Sequence, residues 1–212
     1  TYLWTYDPFG NMLTKVVDGR LIEQNSYDNL NRLISRSITG KGSISYTYDA
    51  IGNSLTFTDQ QSGITSYAYD PNNRLTQVSL RADGEAISTT TYSYDSLGRR
   101  TRKTLPNGCY TTYSYDSKGQ LLSLANYSSS GSLLSSFAYS YNPIGNITQT
   151  QETMNNELRT INYQYDTLDQ LLKARIAYPK EVVDFKYGYD LAGNRLSMEV
   201  STTDKSQSLP FK

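Results

Sequence analysis

Residues 46–55 read YTYDAIGNSL, and this stretch decides the fold. Its two tyrosines alternate with a threonine, and a period of two is typical of a β-strand, so Tyr46 and Tyr48 are expected to share one face. The tetrad from Asp49 to Gly52 matches a type I turn, in which the first side chain caps its own backbone and the last residue is left-handed. A leucine then opens a second apolar segment, and the stretch therefore predicts a β-hairpin closed by a bulged turn.

This hairpin motif recurs along the whole chain, at spacings of 21 to 26 residues. Its first two positions are Tyr6-Asp7, Tyr27-Asp28, Tyr48-Asp49, Tyr69-Asp70, Tyr94-Asp95, Tyr115-Asp116, Tyr141-Asn142, Tyr165-Asp166 and Tyr189-Asp190. Four residues after each tyrosine stands a residue that tolerates positive φ: Gly10, Asn31, Gly52, Asn73, Gly98, Gly119, Gly145, Asp169 or Gly193. Nine copies of one motif predict a repeat architecture.

Each motif is preceded by an alternating segment that predicts a strand. Its upstream tyrosine lies two residues before the Tyr-Asp tyrosine, at Tyr46, Tyr67, Tyr92, Tyr113, Tyr139, Tyr163 and Tyr187. Trp4 takes this place in the first repeat, and Asn25 breaks the rule in the second. Apolar residues such as Leu33, Leu75 and Leu121 follow the turns and begin the return strands. Each repeat is therefore predicted to consist of two strands, with its tyrosines on one face.

A second turn is expected between each return strand and the next repeat. The candidates are Asp18-Gly19, Gly40 to Gly42, Ser62-Gly63, Asp83-Gly84, Asn107-Gly108, Ser130-Gly131 and Asn155-Asn156. The variation in repeat length collects around these second turns. We therefore expect this edge of the sheet to be the one that tolerates insertions.

Composition excludes several classes of function. The 20 basic and 20 acidic residues give a net charge of zero, so no basic surface indicates nucleic acid. Histidine is absent, and Cys109 is alone, so the usual general base, a disulfide and a thiolate metal cluster are all excluded within this chain. No apolar run reaches the roughly 18 residues of a membrane span, and no signal-peptide pattern is present. We expect no catalytic residues, no cofactor and no bound metal.

The repeated side chains allow two interpretations. The tyrosines form cross-strand ladders that stabilise a sheet, or the upstream tyrosines form a platform on which a sugar stacks. The motif aspartates are interpreted as turn caps rather than calcium ligands or catalytic groups, because turn residues follow each of them instead of spaced carboxylates.

The motif resembles a known repeat family. The sequences YDPFGN at 6–11, YDAIGN at 48–53, YDSLGR at 94–99 and YDLAGNRL at 189–196 are similar to the YD or Rhs repeat, and the resemblance covers nearly the whole chain. Proteins with such repeats include bacterial Rhs polymorphic toxins, the C component of insecticidal Tc toxins, wall-associated Rhs proteins and animal teneurins. The resemblance implies a spiralling β-sheet that forms a hollow shell, often around a toxic C-terminal segment. The core region and aspartate-containing self-cleavage site with which those toxins end their shells have no counterpart here.

The expected fold is all-β: tandem β-hairpins in one continuous, twisted and curved antiparallel sheet. We expect residues 1–200 to form one unit of about nine repeats cut from a larger protein, with a polar tail at 201–212. About eighteen strands would give a ribbon of roughly 85 Å, or a ring about 27 Å across, too small for a passenger of about 40 Å. The chain is therefore expected to be an open section of a shell.

Three functions follow as hypotheses. The first is a non-catalytic scaffold that encloses or presents a passenger domain of a secreted or cell-surface protein, a location implied by the resemblance. The second is a module that binds carbohydrate or a cell-surface protein through exposed tyrosines. The third is an enzyme with paired carboxylates in a cleft. Expected partners are further YD repeats and the passenger, glycans or a cell-surface protein in the alternative, and other copies through open sheet edges, with no nucleic acid.

Overall fold

The computed structural model describes residues 1–82 and 84–204, and the regular secondary structure of these residues consists of eighteen β-strands. The odd-numbered strands, called Tyr strands here because each ends at a Tyr-Asp tyrosine, are β1 (Tyr2–Tyr6), β3 (Arg20–Tyr27), β5 (Gly42–Tyr48), β7 (Ile64–Tyr69), β9 (Ser88–Tyr94), β11 (Tyr110–Tyr115), β13 (Leu133–Tyr141), β15 (Glu157–Tyr165) and β17 (Glu181–Tyr189). The return strands are β2 (Met12–Val17), β4 (Leu33–Ile38), β6 (Ser54–Thr58), β8 (Leu75–Arg81), β10 (Arg100–Thr104), β12 (Leu121–Tyr127), β14 (Ile147–Met154), β16 (Leu171–Ala177) and β18 (Arg195–Asp204). In each of the nine repeats, the Tyr strand ends and the return strand begins on either side of the turn that the motif predicts.

The chain divides into two compact units, Thr1–Ser93 and Tyr94–Lys212. In the first unit, antiparallel ladders join each strand to the next from β1 to β9. In the second, they do so from β10 to β18. The predicted fold class, an all-β chain of tandem antiparallel hairpins, is confirmed.

One strand boundary differs from that expected. The single unit of about nine repeats expected over 1–200 stays a prediction. The polar tail was expected from residue 201, but β18 continues to Asp204, which pairs with Glu181 at the far end of β17. Polar side chains are compatible with this strand because its residues are exposed, so polarity did not mark its end. The rest of the expected tail, 205–212, lies outside the described residues.

Every Tyr strand is connected to its return strand by the same four-residue turn, called the corner here. The corner begins at the motif Asp, or at Asn142, and ends three residues later. In the corner that begins at Asp7, the amide of Gly10 donates to the Asp7 carbonyl at 3.1 Å, and the Asp7 amide donates to the Asn11 carbonyl at 2.9 Å. The last corner residue has positive φ in all nine repeats, from 61° at Asn31 to 104° at Gly145. Just before the corner the register shifts by one residue, which is a β-bulge.

The register between consecutive repeats is constant. In eight ladders, the third residue of a return strand lies opposite the residue three places before the next Tyr-Asp tyrosine. The pairs are Thr14 with Gln24, Ser35 with Ser45, Thr56 with Ser66, Gln77 with Thr91, Arg102 with Thr112, Ser123 with Ala138, Gln149 with Asn162, and Lys173 with Lys186. Variation in repeat length is therefore absorbed at the second turns, as the sequence indicated. Residue Asp83 of one such turn lies outside the described residues.

The two faces of the sheet have different chemistry. Both tyrosines of a pair lie on one face, called the tyrosine face, and are half-buried, whereas most of the residues between them, such as Thr47 and Gln164, are exposed. The opposite face carries hydroxyl pairs such as Thr47 with Thr56, 2.6 Å apart. Within the described residues, only Ile161, Ala174 and Val182 form a buried apolar core. The side chains of each repeat are thus covered mainly by those of its neighbours.

The corner geometry predicts the effect of substitutions at Gly119. Its φ is +87° and a Cβ atom there would meet nothing within 4 Å, so conformational strain is the main cost of a side chain. We expect Gly119→Val to lower the free energy of unfolding by about 1–2 kcal/mol, measured by urea titration. The matched control Gly119→Asn should cost clearly less, because Asn31 and Asn73 occupy this corner position naturally. Equal losses for both variants would contradict the assignment.

Candidate functional site

The motif carboxylates are bound by the main chain of their own corners. Oδ1 of Asp49 accepts hydrogen bonds from the amides of Ile51 at 3.0 Å and Asn53 at 2.8 Å. The same pair of bonds occurs at Asp7, Asp28, Asp70, Asp95, Asp116, Asp166 and Asp190. Asn142 keeps the bond to the fifth residue, since its Oδ1 accepts from the amide of Asn146 at 2.8 Å. The repeated carboxyl group thus fixes a turn, because it satisfies amides that the bulge would leave without partners.

The residue that follows each corner is a functional position that the sequence analysis missed. It is an amide or a guanidinium side chain in every repeat: Asn11, Arg32, Asn53, Arg74, Arg99, Gln120, Asn146, Gln170 and Asn194. The sequence signal for this position was that all nine copies carry a side chain that can donate a hydrogen bond.

These donor side chains connect one corner to the next. Arg32 Nε donates to Asp28 Oδ2 at 2.7 Å, and its Nη1 donates to the Asp49 carbonyl of the following corner at 2.8 Å. Its guanidinium also lies over the Tyr48 ring, 4.7 Å from the centroid. Where asparagine replaces arginine, as at Asn53, Nδ2 bonds the side chain of its own Asp49 and the Asn73 oxygen of the next corner.

A second link between repeats is the tyrosine hydroxyl bridge. In this bond the hydroxyl of a Tyr-Asp tyrosine donates to the carbonyl of the first residue in the preceding return strand. Among the described residues, such bridges join Tyr27 to Met12 at 3.2 Å, Tyr48 to Leu33 at 2.9 Å, Tyr115 to Arg100 at 2.9 Å, Tyr141 to Leu121 at 2.7 Å, Tyr165 to Ile147 at 2.8 Å, and Tyr189 to Leu171 at 3.0 Å. In each bridge, the hydroxyl of a half-buried ring and a main-chain carbonyl satisfy each other's hydrogen-bonding capacity.

The upstream tyrosines have different surroundings. Tyr46, Tyr67, Tyr92, Tyr113, Tyr139, Tyr163 and Tyr187 are all half-buried on the tyrosine face. Their partners directly across the hairpin are mostly aliphatic, for example Val78 opposite Tyr67 and Leu124 opposite Tyr113, whereas Tyr46 lies opposite Phe57 with ring centroids 5.2 Å apart. Aliphatic residues thus stand opposite several of these rings, and an aromatic residue stands opposite Tyr46.

Electrostatics distinguish the two repeated side chains. The side chain of Asn11 and nearby amides hold the pKa of the Asp7 carboxyl below its usual value, and the Arg32 amide and guanidinium do the same for Asp28. The pKa is also lowered at Asp49, Asp70, Asp95 and Asp190. Burial raises the pKa of Tyr69, Tyr141 and Tyr165. At neutral pH these six carboxylates are therefore ionised and these three phenols neutral, which is the state that the corner hydrogen bonds and the bridges of Tyr141 and Tyr165 require.

Other candidate sites contain fewer side chains that could bind a ligand or react with one. Among the described residues, no group of three or more His, Cys, Asp or Glu side chains is placed to hold a metal ion, and no helix is long and apolar enough to cross a membrane. Cys109 is a half-buried free thiol. A cavity of about 150 Å³ lies beside Glu152, Arg159 and Tyr178, but the Glu152 carboxylate is already paired with Arg159.

The hydroxyl bridge predicts a specific loss of stability in Tyr48→Phe. The ring beneath Arg32 is retained, but the bond to the Leu33 carbonyl is removed, and we expect the free energy of unfolding to fall by about 1 kcal/mol in urea titrations. Tyr46→Phe is the matched control on the same strand, and it should change stability by less than about 0.5 kcal/mol. Equal effects of the two variants would show that the hydroxyl bridge contributes nothing specific.

The lowered carboxyl pKa values predict acid sensitivity. A carboxyl whose pKa is lower in the folded than in the unfolded chain adds stability above its unfolded pKa of about 4 and loses it as pH falls through the folded pKa. Urea titrations from pH 7 to pH 2 should therefore show stability falling below about pH 4. Asp28→Asn should reduce this dependence, and Asn142→Asp should increase it. A pH dependence unchanged by both substitutions would contradict the prediction.

Comparison with known proteins is consistent with this geometry. The family model "RHS Repeat" matches residues 48–86, 69–108 and 94–132. Among solved structures, the fold is similar to the Photorhabdus luminescens Tc holotoxin pore carrying the mutation TccC3-D651A, with 18% identity, a TM-score of 0.71, and coverage of 97% of this chain and 14% of that one. It is also similar to TcdB2-TccC3-Cdc42, with 18% identity, a TM-score of 0.72, and coverage of 98% of this chain and 14% of that one.

The chain thus spans about one seventh of the length of the solved chains it matches. A comparison with curated proteins finds no match. The family resemblance carried by the Tyr-Asp motifs is confirmed over residues 48–132, which match the RHS repeat model.

Proposed function

We propose that this chain is a non-catalytic section of a YD-repeat β-shell, which encloses or presents a passenger domain within a larger secreted or cell-surface protein. The observation that carries the proposal is the use made of the repeated side chains. The motif aspartates bind their own turns, and six Tyr-Asp hydroxyls bind neighbouring main chain. Side chains used in this way stabilise the repeats, which supports a structural role for the motif.

The connections between repeats also support a mechanical role. An isolated two-stranded hairpin buries too little apolar surface to be stable in water. Neighbouring hairpins supply the remaining contacts. Arg32 and Asn53 reach from one corner to the next in sequence, and the hydroxyl bridges reach back in the opposite direction. A wall that is linked in both directions resists local opening better than separate hairpins do.

The non-catalytic assignment is supported by the partners of the carboxylates. An enzyme without histidine would require two carboxylates facing one cleft, with pKa values pushed apart. The six motif carboxylates with a shifted pKa all shift downward, through donors within or next to their own corners. Downward shifts suit permanent hydrogen-bond acceptors and do not suit a general acid.

The test uses the full-length gene product that contains these residues. We expect its passenger segment to resist limited proteolysis, and the double variant Asp28→Ala/Asp116→Ala, with one altered corner in each unit, to increase the cleavage rate by about tenfold or more because the wall opens more often. The matched control is Asp28→Asn/Asp116→Asn, which retains an acceptor like that of Asn142 and should preserve most of the protection.

Two results would contradict the scaffold proposal. One is a passenger that is cleaved equally fast in the native and alanine proteins. The other is saturable binding of a glycan by the repeats that disappears when upstream tyrosines such as Tyr139 and Tyr163 are changed to alanine while the fold is retained. The second result would favour the carbohydrate-binding alternative.

A further inference from the structure

The second turn between β10 and β11 contains a chemically labile pair of residues. Asn107 and Gly108 are the only Asn-Gly pair in the sequence, and every other asparagine precedes a residue with a side chain. Asparagine is a labile residue because the main-chain nitrogen of the next residue can attack its side-chain carbonyl carbon. Glycine leaves that nitrogen unhindered, since it has no Cβ. The sequence therefore favours this reaction at Asn107.

The structure also favours attack on the Asn107 side chain. Asn107 is exposed, and its Oδ1 accepts a hydrogen bond from the Cys109 amide at 3.0 Å. A donor at this position stabilises the negative charge that develops on Oδ1 while the carbonyl carbon is attacked. The Nδ2 group, which must leave as ammonia, donates to no partner among the described residues. Both the electrophile and the leaving group are therefore suited to the reaction.

Other asparagines are protected in ways that Asn107 is not. Asn142 precedes Pro143, whose nitrogen carries no hydrogen and cannot attack. Asn155 lies in another second turn, but the side chain of Asn156 crowds the nitrogen that would attack it. The Nδ2 group is held by hydrogen bonds at Asn11, Asn25, Asn53, Asn126, Asn146 and Asn194.

One hydrogen bond of the turn restrains the reaction. The Gly108 amide donates to the Leu105 carbonyl at 2.9 Å, and this bond must open before the nitrogen can attack. Pro106 and Asn107 are exposed, and exposed turns open locally at a small cost in free energy. The folded chain is therefore expected to react more slowly than the unfolded chain, but at the same residue.

We propose that Asn107 is a site of spontaneous modification, at which the Gly108 nitrogen attacks Asn107 Cγ and displaces ammonia. A new bond between Gly108 N and Asn107 Cγ replaces the bond between Cγ and Nδ2, and the product is a succinimide ring. Water then opens this ring at either of its two carbonyls and yields aspartate or isoaspartate. The overall change consumes one water molecule and replaces an amide with a carboxylate.

The surrounding sheet is expected to tolerate both products. Isoaspartate directs the main chain through the side-chain carbon and so adds one backbone atom to the turn. Register depends on ladders such as Thr104 with Tyr110 and on the Tyr-Asp corners, whereas the second turns absorb differences in length. Each modified chain therefore gains one negative charge while its strands stay paired.

Peptide mapping tests the site. The folded protein is held at mildly alkaline pH, which speeds attack by the amide nitrogen, and samples taken over time are digested and analysed by mass spectrometry. The peptide that contains Asn107 should gain the mass difference between an amide and an acid about tenfold faster than the peptide that contains Asn155. Fragmentation should show isoaspartate together with aspartate, because the ring opens in both directions. In urea the Asn107 peptide should react faster still.

The matched control keeps the turn and obstructs the attacking nitrogen. A Cβ at Gly108, whose φ is +80°, would lie 2.9 Å from the Ser129 Cβ, so both proteins in the comparison carry Ser129→Gly. Gly108→Asn in this background reproduces the pair at 155–156, where both asparagines have positive φ. The substitution should slow the reaction at Asn107 about tenfold, because a side chain now crowds the nitrogen. Circular dichroism checks that both proteins are folded.

Three results would overturn the proposal. The first is a reaction at Asn107 in the folded protein that is no faster than the reaction at Asn155. The second is an unchanged rate in Gly108→Asn. The third is aspartate without isoaspartate, which would indicate direct hydrolysis by water instead of attack by Gly108. The experiment requires no passenger domain, so its outcome is independent of the proteolysis test of the scaffold function.

Discussion

The structure depends on how main-chain groups are satisfied where each hairpin turns. A bulged corner takes amides and carbonyls out of the regular ladder, and groups of this kind are costly when they lack partners. Two side chains of the motif supply hydrogen-bond partners for these main-chain groups. An aspartate oxygen accepts two amides within the corner, as at Asp49, and the tyrosine of the following repeat donates to a carbonyl beside it, as at Leu33. In the pair Tyr48-Asp49, the aspartate thus completes its own corner while the tyrosine completes the preceding one.

This arrangement explains how a sheet with so little interior is held together. Most domains pack two layers around a core, but the described residues contain three buried apolar side chains, and large apolar groups such as Leu55 and Leu122 remain partly exposed. Stability must then come largely from interactions between neighbouring hairpins, as in other repeat proteins. The links through Arg32 and Tyr48 act between adjacent repeats, so a repeat with a neighbour on each side is held from both sides.

Much of this could be predicted from the sequence, since the Tyr-Asp motifs and their corners set the position of each hairpin. Local patterns carry such information because alternation and positive φ are properties of a few consecutive residues. The acceptor of each hydroxyl was not predictable, because it lies 15 to 20 residues away and depends on register between hairpins. The donor after each corner was predictable in principle, yet Asn, Arg and Gln look unrelated until their shared hydrogen-bonding role is seen. The end of β18 at Asp204 was missed because an exposed strand needs no apolar alternation.

The constant register has a further consequence for how such chains diversify. Residues added at the second turns, around Ser130-Gly131 or Asn155-Asn156, leave the pairing of Ser123 with Ala138 and of Gln149 with Asn162 unchanged. The length of the second turns is thereby independent of the hydrogen bonds between strands, whereas the Tyr-Asp corners have the same length of four residues in every repeat. Insertions at the second turns and duplications of whole hairpins can therefore accumulate in evolution without changing the contacts between neighbouring strands.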